Sequence, residues 1–221
     1  MKKKLIIFGN SLMSEIVYYY FKNFSEYSNS EILFSCDKKF LINKSKFNCE
    51  VIDTKKLLKL QKKDFDIFIA IGYSKLNTIR EKFYKFFLKK NFNLINFIHP
   101  DAKVYCKKIG INNFIMDNVS INPYTYIGDN NIIWSSTTIG HHNKIKSNNF
   151  FSGNTTISGN SEIMNNCFFG VNSCTKDNIK IANYCFIDAG EYVFNSIKNF
   201  TFYNEIHNKN NKIKTKDLFL D

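Results

Sequence analysis

His141 and His142 stand side by side and are the residues of this chain best suited to proton transfer at neutral pH. A neutral imidazole, unperturbed pKa about 6.5, can take the proton that an amine or hydroxyl loses as it attacks a carbonyl. Two further histidines lie far away in sequence. His99, directly before Pro100, reads as structural, and His207, in a polar tail, reads as solvent-exposed. The cysteines are Cys36, Cys49, Cys106, Cys167, Cys174 and Cys185, with no C-x-x-C pair among them. That spacing speaks against a zinc site, and most of them read as reduced, small core residues.

The elements that must hold the histidine pair follow a period of six. Steps of six from Phe97 pass Lys103, Ile109, Ile115, Ile121, Ile127, Ile133, Ile139, Ile145, Phe151, Ile157, Ile163, Phe169, Thr175, Ile181 and Ile187 to Val193. All are apolar except Lys103 and Thr175. Glycine follows the apolar residue directly at 110, 128, 140 and 170, and small or β-branched residues recur four places after it, as at Thr125, Thr137, Thr155 and Ser173. Six is neither the 3.6 of a helix nor the 2 of a strand. It fits a triangular prism with one hexapeptide per side and 18 residues per turn, so this stretch should make roughly five turns. The asparagines scattered through it tolerate the left-handed backbone that tight corners need. The expectation for residues 97–198 is a left-handed parallel β-helix, with His141 and His142 at a corner and pointing outward.

The first 96 residues alternate differently. Strands are expected at 4–8, 31–36, 51–52, 66–71 and 93–98. Helices are expected at 12–21, 54–60 and 74–89, with Ser11, Thr54 and Ser74 as caps. This alternation predicts an α/β Rossmann-like domain with a parallel sheet, whose ligands sit at the carboxyl ends of the strands. Gly9, Asn10, Ser11, Asp37, Gly72, Tyr73 and Ser74 fall there. The first loop, Gly9-Asn10-Ser11-Leu12-Met13-Ser14, lacks two of the three glycines of a dinucleotide fingerprint, although a helix N-terminus can still hold a phosphate. A β–α turn with no ligand is the competing reading, and an ordinary strand-end Asp is the competing reading of Asp37.

At 221 residues and 44% apolar content, the chain can support two cores. No apolar run approaches the roughly 18 residues of a membrane span, and the basic start, Met1 to Lys4, precedes too short an apolar run for a signal peptide. A cytoplasmic protein is expected, with no membrane partner. The net charge of +12 is spread over scattered lysines, which reads as a solvated basic surface and not as a nucleic-acid footprint.

An α/β half followed by this coil resembles the sugar acyltransferases grouped with sialic acid O-acetyltransferase and the bacillosamine-pathway UDP-sugar N-acetyltransferase. The resemblance spans nearly the whole chain. It is carried by Ala70-Ile71-Gly72 with Asn77-Thr78-Ile79-Arg80, by Ser136-Thr137-Thr138-Ile139-Gly140-His141-His142, and by Phe168-Phe169-Gly170-Val171-Asn172-Ser173-Cys174. It implies an acetyl-CoA-dependent N-acetyltransferase of a nucleotide-linked amino sugar (UDP- or dTDP-), without metal, in surface-glycan precursor synthesis such as that of lipopolysaccharide O-antigen. His141 would be the general base. The acidic residue that follows this histidine in the family is His142 here, the preceding Glu is Gly140, and the family's second histidine, nine residues on, is Phe150. The resemblance further implies a homotrimer with acetyl-CoA in the groove between prisms, lined by Gly159, Val171 and Ala189, and an N-terminal domain that binds the nucleotide. A basic surface suits such polyanionic substrates. Trp134 and Phe150 would then pack the trimer interface or wall the sugar site, the former being favoured.

Three other readings compete. A sugar O-acetyltransferase would use the same base. A non-catalytic trimeric nucleotide-sugar-binding scaffold would account for Gly140 and His142. A zinc-dependent carbonic anhydrase on the same prism is disfavoured, because side chains of adjacent corner residues should diverge and could not chelate one ion. The tail, 199–221, departs from the family ending and is expected to cover the open end of the prism.

Overall fold

The structure, a computed structural model, describes residues 3–204. The N-terminal domain contains β1 (Lys4–Phe8), α1 (Leu12–Phe24), β2 (Ile32–Cys36), β3 (Ser45–Lys46), β4 (Cys49–Asp53), α2 (Thr54–Leu57), β5 (Phe65–Ile69) and α3 (Thr78–Lys89). The sheet order is β3-β4-β2-β1-β5, parallel except for the β3–β4 hairpin. Leu5 to Phe8 form a continuous apolar run because β1 is covered on both faces. On one side α1 packs Met13, Val17 and Phe21 against the sheet, and on the other lie Leu57, Tyr84 and Phe87.

Several local expectations are corrected. Ser11 does precede α1 in an extended conformation, but its side chain makes no cap. Asp53, not Thr54, caps α2, accepting from the Lys56 N–H at 2.7 Å. Ser74 caps nothing: Lys75, Leu76 and Asn77 form a left-handed turn, and α3 starts only at Thr78. The hairpin at 45–50, with Phe47 and Asn48 both left-handed at its turn, escaped the sequence reading. The segment 93–98 divides between the two domains. Leu94 bridges to Ile67, whereas Phe97–Ile98 is the first rung of the prism.

The C-terminal half is a left-handed parallel β-helix. Its three faces are named here by their outward residues. The phenylalanine face (Phe97, Phe114, Phe150, Phe168, Phe186) has seven strands, the threonine face (Thr138, Thr156) six and the lysine face (Lys108, Lys144, Lys180) five. Residues pair with those 18 further on, for example Ile121 with Ile139 and Ile139 with Ile157. Ile115, Ile121, Ile133, Ile139, Phe151, Ile157, Ile163, Phe169, Ile181 and Ile187 are fully buried along the axis. Thr175 is tolerated there because its hydroxyl accepts from the Ser158 N–H at 3.1 Å.

The first coil departs from the six-residue count. Lys103 pairs with Ser120 and Val104 with Ile121, so Val104 holds the inward position and Lys103 points out. The strands at Lys103–Val104 and Lys108–Ile109 are one residue closer than elsewhere, and this shortened corner moves Phe97 outward. At the other end Ile197 bridges to Ile181, and Phe202–Tyr203 pairs with Phe186–Ile187. The coil therefore runs into the segment read as tail. His207 and the remainder of that tail lie outside the described residues.

The phenylalanine face joins the two domains. Phe97, Phe114, Ile132, Phe150 and Phe168 pack in one cluster with Met13, Val17, Phe21 and Phe68, and Trp134 lies against the same cluster. Burying each such side chain stabilises by roughly 1.5–3 kcal/mol before entropic costs. Phe150, buried in that cluster, thus serves a contact within the chain rather than the trimer interface expected for it, and half-buried Trp134 packs beside it. His99 is buried among Tyr20, Phe24 and Phe97, consistent with a structural role. No helix among the described residues is long and apolar enough to cross a membrane.

Candidate active site at a prism corner

Each coil turns its corners through a left-handed residue, every sixth position from Asn112 to Tyr184. Most are asparagine, whose short polar side chain tolerates this conformation. At the corner between the threonine and lysine faces, residues 18 apart stack in columns. Pro123, His141, Gly159 and Asp177 form one column; Tyr124, His142, Asn160 and Asn178 form the next.

His141 and His142 are both exposed. Their side chains converge, contrary to the divergence expected of adjacent corner residues: the two Nδ1 atoms lie 3.0 Å apart with the rings nearly perpendicular, at 86°. One Nδ1 must then carry the proton and the other accept it. If His141 is the donor, its Nε2 is left as a free base. The second face of the His141 ring rests on Gly159. A Cβ at that position would lie 2.7 Å from His141 Cε1 and 2.9 Å from Nε2, so only glycine permits this seat.

The backbone below is locked. The Gly140 carbonyl accepts from Thr125 Oγ1 at 2.7 Å and from Asn143 Nδ2 at 2.9 Å. The His141 carbonyl accepts from the Asn160 N–H at 2.9 Å, and the His142 N–H donates to the Pro123 carbonyl at 3.1 Å. A Cβ on Gly140 would come within 2.9 Å of the Gly159 nitrogen, so this corner excludes the Glu of the resembling family without displacement of a coil. His141, His142, Gly159, Asn160, Asp177 and Asn178 line an open cavity of about 390 Å³. Among the described residues no group of three or more His, Cys, Asp or Glu side chains is placed to hold a metal ion.

Asn160, Asp177 and Asn178 were not read from the sequence as site residues. The signal was available, because they lie 18 and 36 residues beyond the histidine pair. Of the three positions expected to line the acyl-donor groove, Gly159 serves as the seat of His141. Val171 and Ala189 stand, exposed, on a different corner, between the phenylalanine and threonine faces. Within one chain the three do not form a single groove.

The strand-end set is divided as well. Gly9 is held at φ +143° with its N–H on the Ser35 carbonyl, and a Cβ there would strike the Ala70 carbonyl at 2.4 Å. Asn10 Nδ2 donates to the Phe40 carbonyl, and Asp37 accepts from Thr54 Oγ1 at 2.7 Å. These residues and Ser11 gather at the ends of β1 and β2. Gly72 and Tyr73 instead turn toward the prism: the Tyr73 ring lies 4.6 Å from Phe168 and 5.1 Å from Phe150.

A cavity of about 390 Å³ beside this set is lined by Asn10, Glu15, Ile42, Asn43, Ser45, Lys46, Phe47 and Val51. Lys46, half-buried, reaches Glu15 at 3.1 Å and Ser14 Oγ at 3.2 Å. The short, polar hairpin that carries it has no periodic signal in the sequence.

The junction between the halves centres on Arg80, fully buried. Its guanidinium donates to the carbonyls of Gly72, Ile71, Asn130 and Asn149 and to Asn77 Oδ1. Burial lowers its pKa to about 9. Asn77 Nδ2 donates in turn to the Cys167 carbonyl, so the Asn77–Arg80 segment serves to fasten the domains.

Residues 107–141 match the family model of the bacterial transferase hexapeptide, six repeats. Comparison with curated protein sequences gives no match. Among solved structures, the acetyltransferase domain of PglB from Neisseria gonorrhoeae superposes with a TM-score of 0.80 at 23% identity, over 90% of this chain and 95% of that one. A variant of perosamine N-acetyltransferase from Caulobacter crescentus, in complex with CoA and GDP-perosamine, gives 0.78 at 18% identity, over 91% and 93%. WeeI from Acinetobacter baumannii gives 0.77 at 15%, over 90% and 95%. From its first strand to its last coil, this chain has the fold of those proteins, an α/β domain seated on a left-handed β-helix of hexapeptide repeats.

Proposed function

We propose that the protein is an acetyl-CoA-dependent N-acetyltransferase acting on a nucleotide-linked amino sugar, with His141 as general base. The observation that carries this reading is the His141 ring, laid on Gly159 with its Nδ1 engaged by His142 at the mouth of a cavity. The amine of the acceptor loses a proton to His141 Nε2 as it attacks the thioester carbonyl, the C–S bond then breaks, and the departing CoA sulfur takes that proton from His141 to leave as the thiol. Acetyl-CoA supplies the activated acyl group. A solved structure of similar fold that contains CoA and GDP-perosamine supports the two substrate classes. The acceptor is read as a UDP- or dTDP-linked amino sugar, an intermediate of cytoplasmic surface-glycan precursor synthesis.

The placement of the two candidate sites supports a homotrimer. The histidine corner lies between the threonine and lysine faces, opposite the phenylalanine face on which the chain's own N-terminal domain sits. The strand-end residues Gly9, Asn10, Ser11 and Asp37 of the same chain are thereby kept from His141. A neighbouring copy would bring its nucleotide-binding end, and its Val171–Ala189 corner, to the histidine pair.

The test is acetyl-CoA-dependent thiol release with UDP- and dTDP-linked amino sugars and their hydroxyl counterparts. Release with an amino sugar, lowered about 100-fold in His141→Ala, is the expected result. Release only with hydroxyl sugars would make the protein an O-acetyltransferase. Nucleotide-sugar binding without turnover would make it a scaffold.

A further inference from the structure

We propose that Tyr124 is a positioning residue for the histidine pair, and that a Tyr124–His142–His141 stack does the orienting work of a carboxylate. The inference rests on the reading of His141 as the base. Tyr124 lies one coil from His142 at the same corner column, and both adopt the left-handed conformation, at φ +64° and +57°. For a ring-bearing residue that conformation is unfavourable, and the same column continues with Asn160 and Asn178, the usual occupants. Burial does not account for Tyr124, which is 62% exposed. Its contact does: the ring lies 4.7 Å from that of His142, tilted by 31°. Among the described residues one other aromatic pair sits at left-handed corners, Tyr184 and Phe200, and they too stack, at 5.0 Å and 3°.

His142 is therefore held on two sides, by the Tyr124 face and by the Nδ1 of His141 at 3.0 Å. Its backbone is fixed by the bond to the Pro123 carbonyl. This matters because an imidazole, unlike a carboxylate, can either donate or accept. For His141 to present a lone pair at Nε2, its own Nδ1 must donate and His142 Nδ1 must accept, with the His142 proton on Nε2. A freely rotating His142 would break the bond and leave the His141 tautomer unset. The stacked tyrosine holds the ring with its Nδ1 turned to that of His141, and so keeps the bond through which the His141 Nδ1–H donates.

The experiment compares wild type with Tyr124→Asn, which installs the ordinary corner residue, and Tyr124→Phe, which keeps the ring. Long-range ¹⁵N–¹H correlation of the histidine side chains at pH about 8, where unperturbed imidazoles are neutral, reads the tautomers without any need for turnover. His141 should be protonated at Nδ1 and His142 at Nε2 in wild type and Tyr124→Phe. Tyr124→Asn should give mixed tautomers, with kcat lowered about tenfold and KM for acetyl-CoA unchanged. Wild-type tautomers and kcat in Tyr124→Asn would overturn the proposal, as would failure of Tyr124→Phe to match wild type. If no variant turns over, the acetyltransferase reading fails while the tautomer comparison still decides the stack.

Discussion

Replacing Gly159 by alanine separates the two roles open to this glycine. The new Cβ would lie 2.7 Å from His141 Cε1, 2.9 Å from Nε2 and 3.2 Å from Nδ1, against ordinary contact from 3.4 Å. The backbone of Gly159 does not lie in the left-handed region, so alanine costs little there and the imidazole must give way instead. Restoring contact distance lifts the ring by about 0.7 Å, the difference between 3.4 and 2.7 Å. A misplacement of about 1 Å can cost about 100-fold in rate, so kcat should fall roughly 10- to 100-fold. The assay is steady-state thiol release with both substrates varied, together with thermal unfolding to show an unchanged fold. KM for acetyl-CoA should hold. A raised KM with full kcat would show that Gly159 admits the pantetheine arm and does not seat the base, and would refute the reasoning.

Two further predictions concern the scaffold. Arg80→Met keeps the buried stem but strands the carbonyls of Ile71, Gly72 and Asn130 without their donor. A loss of about 3 kcal/mol is expected in denaturant unfolding, and a change below about 1 kcal/mol would remove Arg80 as the fastener of the two domains. Asp66 is buried, which by itself raises its pKa, but hydrogen bonds from Asn93, Tyr27 and Lys3 more than offset this and hold it below the ordinary value. Its stabilising contribution is therefore complete above pH about 4 and is lost as pH falls through the lower, folded-state value. Asp66→Asn should flatten the fall in Tm between pH 5 and 3, and an unchanged acid limb would count against the assignment.

The prism was legible because its physical cause is written in the residues. A three-sided coil places one side chain in six on the axis, and a run of isoleucines at that spacing has no other economical burial. Lys103 marked the limit of that reading. Counting by six cannot see a corner shortened by one residue, and only the strand pairing of Val104 with Ile121 restored the register. The same limit applies to the α/β half. The strongly apolar β1 and β5 were recognisable, whereas the 45–50 hairpin, short and polar, carried no periodic signal and took Lys46 with it.

Sequence by itself determined which residues lie on the axis from Ile109 onward, and that His141 and His142 stand outward at a corner. Those facts depend on local period and backbone tolerance, which each hexapeptide encodes alone. Tertiary structure decided the rest. Stacking by 18 residues put Gly159 beneath His141 and Tyr124 beside His142, and so turned an adjacent pair into an oriented one. It also sent Phe150 inward to the domain junction and left the histidine corner on the side away from the chain's own strand-end residues. Contacts between coils and between domains join residues as distant as Thr138 and Thr156, 18 positions apart, or Asn77 and Cys167, 90 apart, and no local pattern in the chain records where such residues meet.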